Sequence, residues 1–327
     1  MNVIAVPATL DDRSFDQMVT ELNRGRPDSL DRGASAGNPA GPAPTGRVLV
    51  DARHLRWVDP YGLLGLLAVG EVARKRTGER PRFQAPDSAE VTSYLARMGF
   101  FGHAAEIYEL HGAGRKSAEG SSDVLLEITP VRSHVDVHQI VDRVNERALT
   151  ILTRQLHYPL KEAFQFSVML SEVCQNIIDH AESGGWVATQ TYNWARRLGR
   201  KVVSIAVMDL GIGFYGSLAS EHAARYGDRW SHASALEAAF IHGLTRFHDP
   251  GRGQGLQQIR KQVGRWNGRI AIRSGTARIA DVPAWDDAPP LEEDLPTFPG
   301  SQISIVLPSK MPEEAATGAG GRAAGAR

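Results

Sequence analysis

Apolar residues recur every three or four positions from Ser167 to Ala181, at Leu170, Val173, Cys174, Ile177, Ile178 and Ala181. That spacing predicts a helix with one packed face. Glu172, Asn176, Asp179 and His180 gather on the opposite face, and Glu172 and Asn176, four apart, stand one turn above each other. Taken alone, such a face reads as the solvated side of an ordinary amphipathic helix. The same pair also suits metal-assisted chemistry, because an Asn oxygen binds a hard cation and a Glu accepts a proton from an attacking group.

The rest of the chain alternates between two rhythms. Asn2 to Pro7 predicts a short strand, and Asp11 to Leu22 a helix packed through Phe15, Met18, Val19 and Leu22. Gly33 to Gly46, rich in Gly, Ala and Pro, reads as a flexible excursion. Arg47 to Ala52 predicts a buried strand, Trp57 to Gly62 a turn, Leu63 to Lys75 an apolar-faced helix, Arg82 to Ala85 a strand, and Glu90 to Met98 a helix. Gly112 to Ser122 is polar and rich in Gly and Ser, which places a domain boundary there. Beyond it come a strand at Val124 to Ile128, helices at Val135 to Leu156 and Leu160 to His180, and strands at Trp186 to Trp194 and Val202 to Asp209. Ser234 to His242 and Gln257 to Val263 predict helices, and Arg269 to Ser274 and Gly300 to Pro308 strands. Ala280 to Pro299, acidic and rich in Pro, reads as a surface loop. This order predicts an α/β chain of two domains, residues 1–111 and 123–309, with a linker at 112–122 and a disordered tail at 310–327. The second domain is expected to be a sandwich, with helices on one face of a mixed, mainly antiparallel sheet.

Composition narrows the functional classes. The 327 residues carry 37 Lys and Arg against 37 Asp and Glu, so net charge argues for neither nucleic acid nor an anionic membrane as partner. The single cysteine, Cys174, excludes an intrachain disulfide and a cysteine metal site, and its place on the apolar side of its helix predicts core packing. The longest apolar run, Leu63 to Val69, is broken by Gly65 and is too short to span a bilayer. Met1 to Leu10 lacks the basic flank and apolar core of a secretory leader, so a cytoplasmic location is expected.

Three further stretches carry chemistry. Val203 to Met208 runs into Asp209-Leu210-Gly211-Ile212-Gly213, a carboxylate at a strand end followed by two glycines. That arrangement suits a flat ligand with an exocyclic amine; its plain alternative is a tight Asp-capped turn. Gly251-Arg252-Gly253-Gln254-Gly255-Leu256 opens a helix with backbone amides that complement phosphate. It lacks the Lys of a Walker A loop and the spacing of a dinucleotide fold. Ser301 begins the last strand, placed to hydrogen-bond a buried ligand.

Two family resemblances follow. Val48-Leu49-Val50-Asp51, Val58-Asp59-Pro60-Tyr61-Gly62-Leu63 and Tyr94 to Phe100 resemble the STAS domain of anti-sigma-factor antagonists, over residues 1–111. That family phosphorylates a Ser or Thr in the turn where this chain has Pro60 and Tyr61. The resemblance therefore implies a docking or scaffolding module, with Tyr61 a packing or contact residue. Glu172 to Ala181, Asp209 to Gly213, Gly251 to Leu256 and Gly300-Ser301 resemble the four boxes of the GHKL (Bergerat) ATPases, in order, over residues 123–309. That superfamily includes gyrase, histidine kinases and the anti-sigma-factor serine kinases.

The second resemblance implies ATP and Mg²⁺ as cofactors. Asn176 would hold the metal, Glu172 would act as base, and Asp209 would receive the adenine amine. Gly211 and Gly213 would shape the adenine pocket. Arg252, Gly253, Gly255 and Leu256 would meet the phosphates, with Ser301 in the last box and His180 near the site. No phosphoacceptor helix pair precedes the boxes and no transducer domain follows Pro308, which favours the anti-sigma serine-kinase type. The resemblance implies transfer of the γ-phosphate to a protein partner, such as a STAS antagonist, or contact with a sigma factor, and allows a homodimer. The alternative is an ATP-gated interaction switch or slow ATPase without protein phosphorylation.

Overall fold

The computed structural model of the protein describes residues 1–24, 46–112, 124–133, 135–140, 142, 150–180, 184–194, 198–245 and 255–310. The N-terminal unit runs β1 (Asn2–Ala5), β2 (Thr9–Leu10), α1 (Phe15–Asn23), β3 (Val48–Asp51), β4 (Trp57–Val58), α2 (Pro60–Thr77), β5 (Arg82–Gln84), α3 (Ala89–Arg97), α4 (Phe100–Ile107) and β6 (Glu109–His111). Strands β1, β3, β5 and β6 form a parallel sheet in that order, and β2 pairs with β4 apart from it.

The expected turn from Trp57 to Gly62 resolves into β4 and the first turn of α2. The extended Asp59 caps that helix, its carboxylate accepting from the Gly62 N–H at 2.8 Å. Pro60 takes the first helical position, where its missing N–H costs nothing. Tyr61 is 1% exposed and meets the Phe15 ring edge-on, a packing residue as expected. Helix α2 is buried on nearly every side. A helix apolar all round needs cover from two layers.

The second layer is the larger sheet. After β7 (Val124–Val131), helical residues 135–140 and a π turn at Ile151–Gln155 come α5 (Leu160–His180), β8 (Gly185–Trp194) and β9 (Arg200–Asp209). Then follow α6 (Gly213–Tyr226), α7 (His232–Phe240), α8 (Gly255–Arg265), β10 (Arg269–Gly275), β11 (Ala277–Asp281), β12 (Leu291–Glu292) and β13 (Phe298–Pro308). The seven strands lie in the order β12-β11-β10-β13-β9-β8-β7. A mixed, mainly antiparallel sheet was expected, and among the described residues every pairing within this seven-stranded sheet is antiparallel. Within the expected helix from Val135 to Leu156, residues 135–140 are helical and Ile151–Gln155 form a π turn, and the expected surface loop from Ala280 to Pro299 contains β12. Helices α4 and α6 have no counterpart among the predicted elements.

Strand alternation divides the sheet's residues between two cores. Val203, Ile205 and Val207 of β9 pack with α5, α7 and α8 through Cys174, Leu236 and Ile259. Ala206 and Met208, with Ala188, Ile128 and Phe298, join the cluster that holds α2. A strand covered on both sides has no polar face, which is why β9 is buried at nearly every position.

Charge reinforces this contact. Arg269 and Arg273 of β10 and Arg278 of β11 are all buried on the face toward the N-terminal unit. Arg269 pairs with Asp12 at 2.6 Å. Arg273 donates to Asp16 at 2.7 Å, and Arg278 also pairs with Asp16 and, at 2.6 Å, with Glu292. Arg13 reaches Asp286 and Asp287 at 2.7 and 2.9 Å. The N-terminal unit is thus a layer of the larger sandwich, with α2 as the shared helix. The expected flexible excursion (33–45), most of the expected linker (113–122) and the chain after Lys310 lie outside the described residues.

Candidate functional site

Asp209 ends β9 and shares the parity of Ile205 and Val207, so it faces the helices. Its carboxylate is 6% exposed. The Gly211 N–H donates to it at 2.8 Å, and Ser301 donates from both backbone and hydroxyl. Burial pushes its pKa up to about 6, and these hydrogen bonds only partly oppose that. No cationic side chain appears among the groups that shift it.

Two glycines let the backbone close around this carboxylate. Gly300 lies at φ 75°, and a Cβ there would fall on the Asp209 carbonyl and 2.6 Å from Asp209 Oδ1. Gly213 lies at φ 64°, and its Cβ would stand 2.6 Å from Ser274 Oγ. Both conformations favour glycine. Ser274, at the end of β10, accepts from the Phe214 N–H at 3.2 Å and donates to the Gly300 carbonyl at 2.8 Å. It ties the start of α6 to the turn before Ser301. Sequence reasoning missed Ser274, although alternation from Ile270 and Ile272 puts it on the helix face.

A second group forms where α5 meets α8. Glu172 is exposed on α5, and a Cβ on Gly255, the first residue of α8, would lie 2.8 Å from Glu172 Oε2. The Glu172 carboxylate thus lies against the first residue of α8. Leu256 is buried in the core beneath, so only its backbone is available to a ligand.

Of the residues singled out from the sequence, the structure gathers Asp209, Gly211, Gly213 and Ser301 in one cluster and Glu172 with Gly255 in another. Both clusters lie on the helix-bearing face. Asn176 and His180 follow Glu172 on α5 at one-turn intervals, and their side chains lie outside the described residues, as do Arg252 and Gly253 entirely. Cys174 is fully buried, and burial pushes its thiol up to about 12, which fits an inert core residue.

Among the described residues, no group of three His, Cys, Asp or Glu side chains is placed to hold a metal ion. What the first cluster can do chemically is accept hydrogen bonds on a buried carboxylate beside bare backbone, the requirement for a flat, amine-bearing ring. No helix among the described residues is long and apolar enough to cross a membrane. Comparison with protein-family models gives no match, and neither does comparison with curated proteins.

Proposed function

We propose that residues 123–309 form an ATP-binding unit of the GHKL type, and that the protein transfers the γ-phosphate of ATP to a Ser or Thr of a protein partner. The observation that carries this reading is Asp209, a residue 6% exposed, with no cation beside its carboxylate among the described residues and framed by Gly213 and Gly300. Buried polar groups of this kind call for a hydrogen-bonding ligand. Asp209 accepts the exocyclic amine of adenine, and the glycines admit the flat ring. Glu172 of α5, which lies against the start of α8, accepts the proton of the attacking hydroxyl. Asn176 would hold Mg²⁺, which would neutralise charge on the phosphates when bound.

The N-terminal unit, STAS-like in its sequence motifs, has a structural part in this reading. Tyr61, in the turn where that family carries its phosphorylated residue, packs edge-on to Phe15 at a ring-centroid distance of 5.6 Å. The phosphoacceptor is accordingly a separate chain, and the N-terminal unit backs the sheet.

The test uses ATP labelled on its γ-phosphate, with Mg²⁺, the protein and a lysate of its source cells. Label on another protein, lost with Glu172→Ala, supports the kinase reading. Label released only as phosphate makes the protein an ATPase or ATP-gated switch, and absence of ATP binding removes the reading altogether. Asp209→Asn should weaken ATP binding by roughly 1–3 kcal/mol, one buried hydrogen bond.

A further inference from the structure

A cavity of about 520 Å³ opens between the N-terminal unit and the back of the seven-stranded sheet, on the side away from Asp209. Its size is that of a small-molecule site. Four carboxylates line it, from Asp11, Asp12, Asp59 and Asp286, against two guanidinium groups, from Arg13 and Arg269. Both cations are already engaged. Arg269 pairs with Asp12 at 2.6 Å and with Asp286 at 3.6 Å, and Arg13 pairs with Asp286 at 2.7 Å.

Asp11 and Asp59 are left without a cationic side chain among the described residues. Asp11 accepts from the Arg13 and Ser14 N–H groups and the Ser14 hydroxyl, all close in sequence. Asp59 is 7% exposed and accepts from the Gly62 N–H. Burial pushes its carboxyl well above the usual range, and Asp12 and Asp11 add repulsion. A buried carboxylate of this kind lacks a positive partner.

A second, independent observation is Ser304. It lines the cavity from β13, is 1% exposed, and hydrogen-bonds no described residue through its hydroxyl. A hydroxyl at the cavity wall with no partner among the described residues is available to a ligand. Two indoles complete the walls. Trp57 leans on Tyr192 at 5.7 Å, and Trp194 meets Trp285 edge-on at 6.2 Å, so both are held in place.

We propose that this cavity binds a small organic cation, an ammonium or guanidinium compound with an apolar or aromatic body. The charged group sits at Asp59 and Asp11, the body lies against Trp57 and Trp194, and Ser304 hydrogen-bonds a polar substituent. Indoles attract cations through their ring faces, and two uncompensated carboxylates repel an anion. A bare metal ion is disfavoured because no three ligating side chains converge among the described residues. Both units contribute, so the ligand reinforces their docking. The proposal is independent of ATP binding on the other face.

The experiment is a calorimetric titration of the full chain with benzylamine and with agmatine, both cationic at pH 7. Benzyl alcohol and benzoate serve as neutral and anionic matches. Saturable binding of the two cations is expected, weakened about 10-fold or more by Asp59→Asn, since a hydrogen bond to a charged group is lost. Asn retains the helix cap, so this variant should fold. Should it not, Asp11→Asn and Ser304→Ala are titrated instead, and each is expected to weaken binding. The proposal is overturned if benzyl alcohol or benzoate binds as tightly as benzylamine. It is equally overturned if the variants bind unchanged, or if neither cation saturates the protein.

Discussion

On the back of the large sheet, Arg269, Arg273 and Arg278 each meet a carboxylate, from the N-terminal unit or from β12. On the helix side of the same sheet, Asp209 meets only N–H and O–H donors and carries a pKa near 6. Both faces bury polar groups in a low-dielectric interior. One face neutralises its three buried arginines inside the protein and so acts as a fixed joint. The other leaves Asp209 without a countercharge among the described residues, at a cost in stability. Burial alone does not mark a ligand site; burial without a partner does.

The largest expected effect breaks the joint. Arg273 is 1% exposed, pairs with Asp16, and lies 5.8 Å from the centroids of both the Phe15 and Phe298 rings. Arg273→Ala should cost about 3–5 kcal/mol in urea unfolding, because it removes packing and leaves Asp16 short of a partner. A loss below about 1 kcal/mol would show that the two units are not held by this network.

The next prediction concerns the unpaired carboxylate. Asp209 holds its proton more firmly in the folded chain, near 6, than its ordinary value of 3.8 allows. Its contribution to stability is therefore fully present below about pH 4 and lost as pH rises through 6. The difference between the protein and Asp209→Asn, followed from pH 4 to 7 in urea, should change by up to about 3 kcal/mol. Paired or hydrogen-bonded carboxylates such as Asp51 and Asp136, whose pKa values are lowered, act in the opposite sense, so only the difference isolates Asp209. A difference independent of pH would mean that Asp209 is not a strained charge.

Gly300→Ala sharpens the same point. The left-handed backbone and the collision with Asp209 together predict a loss of about 1–3 kcal/mol in thermal unfolding, with weaker ATP binding. Smallest of all should be Phe164→Ser. Phe164 is half exposed on α5, between Leu160 and Val168, and away from both polar systems. Its effect on stability should stay within about 0.5 kcal/mol.

Much of the helix side was legible in the chain. The period of Leu170, Val173 and Cys174 marks the packed face of α5, and the glycines after Asp209 mark a backbone that must come close to something. The approach of Glu172 to Gly255 was not legible, because it joins two segments more than 80 positions apart. Helix α6 was not legible, because Gly213 to Tyr226 buries only Ser217, Leu218 and His222 and shows no clear apolar stripe. Its start is set instead by Ser274 receiving the Phe214 N–H. The apolar run in α2 announced burial but not what would cover it.

Local order was thus determined by the sequence itself: periodicity follows from side-chain geometry along one element, and capping residues such as Asp59 act within a few positions. Which surfaces meet was decided only by the tertiary structure. Arg273 and Asp16 stand 257 positions apart, and their union leaves no periodic trace in either segment. Nothing nearby in the chain tells a buried arginine which carboxylate will neutralise it, or a buried aspartate that none will, because Coulomb energy depends on distance in space and on the surrounding dielectric.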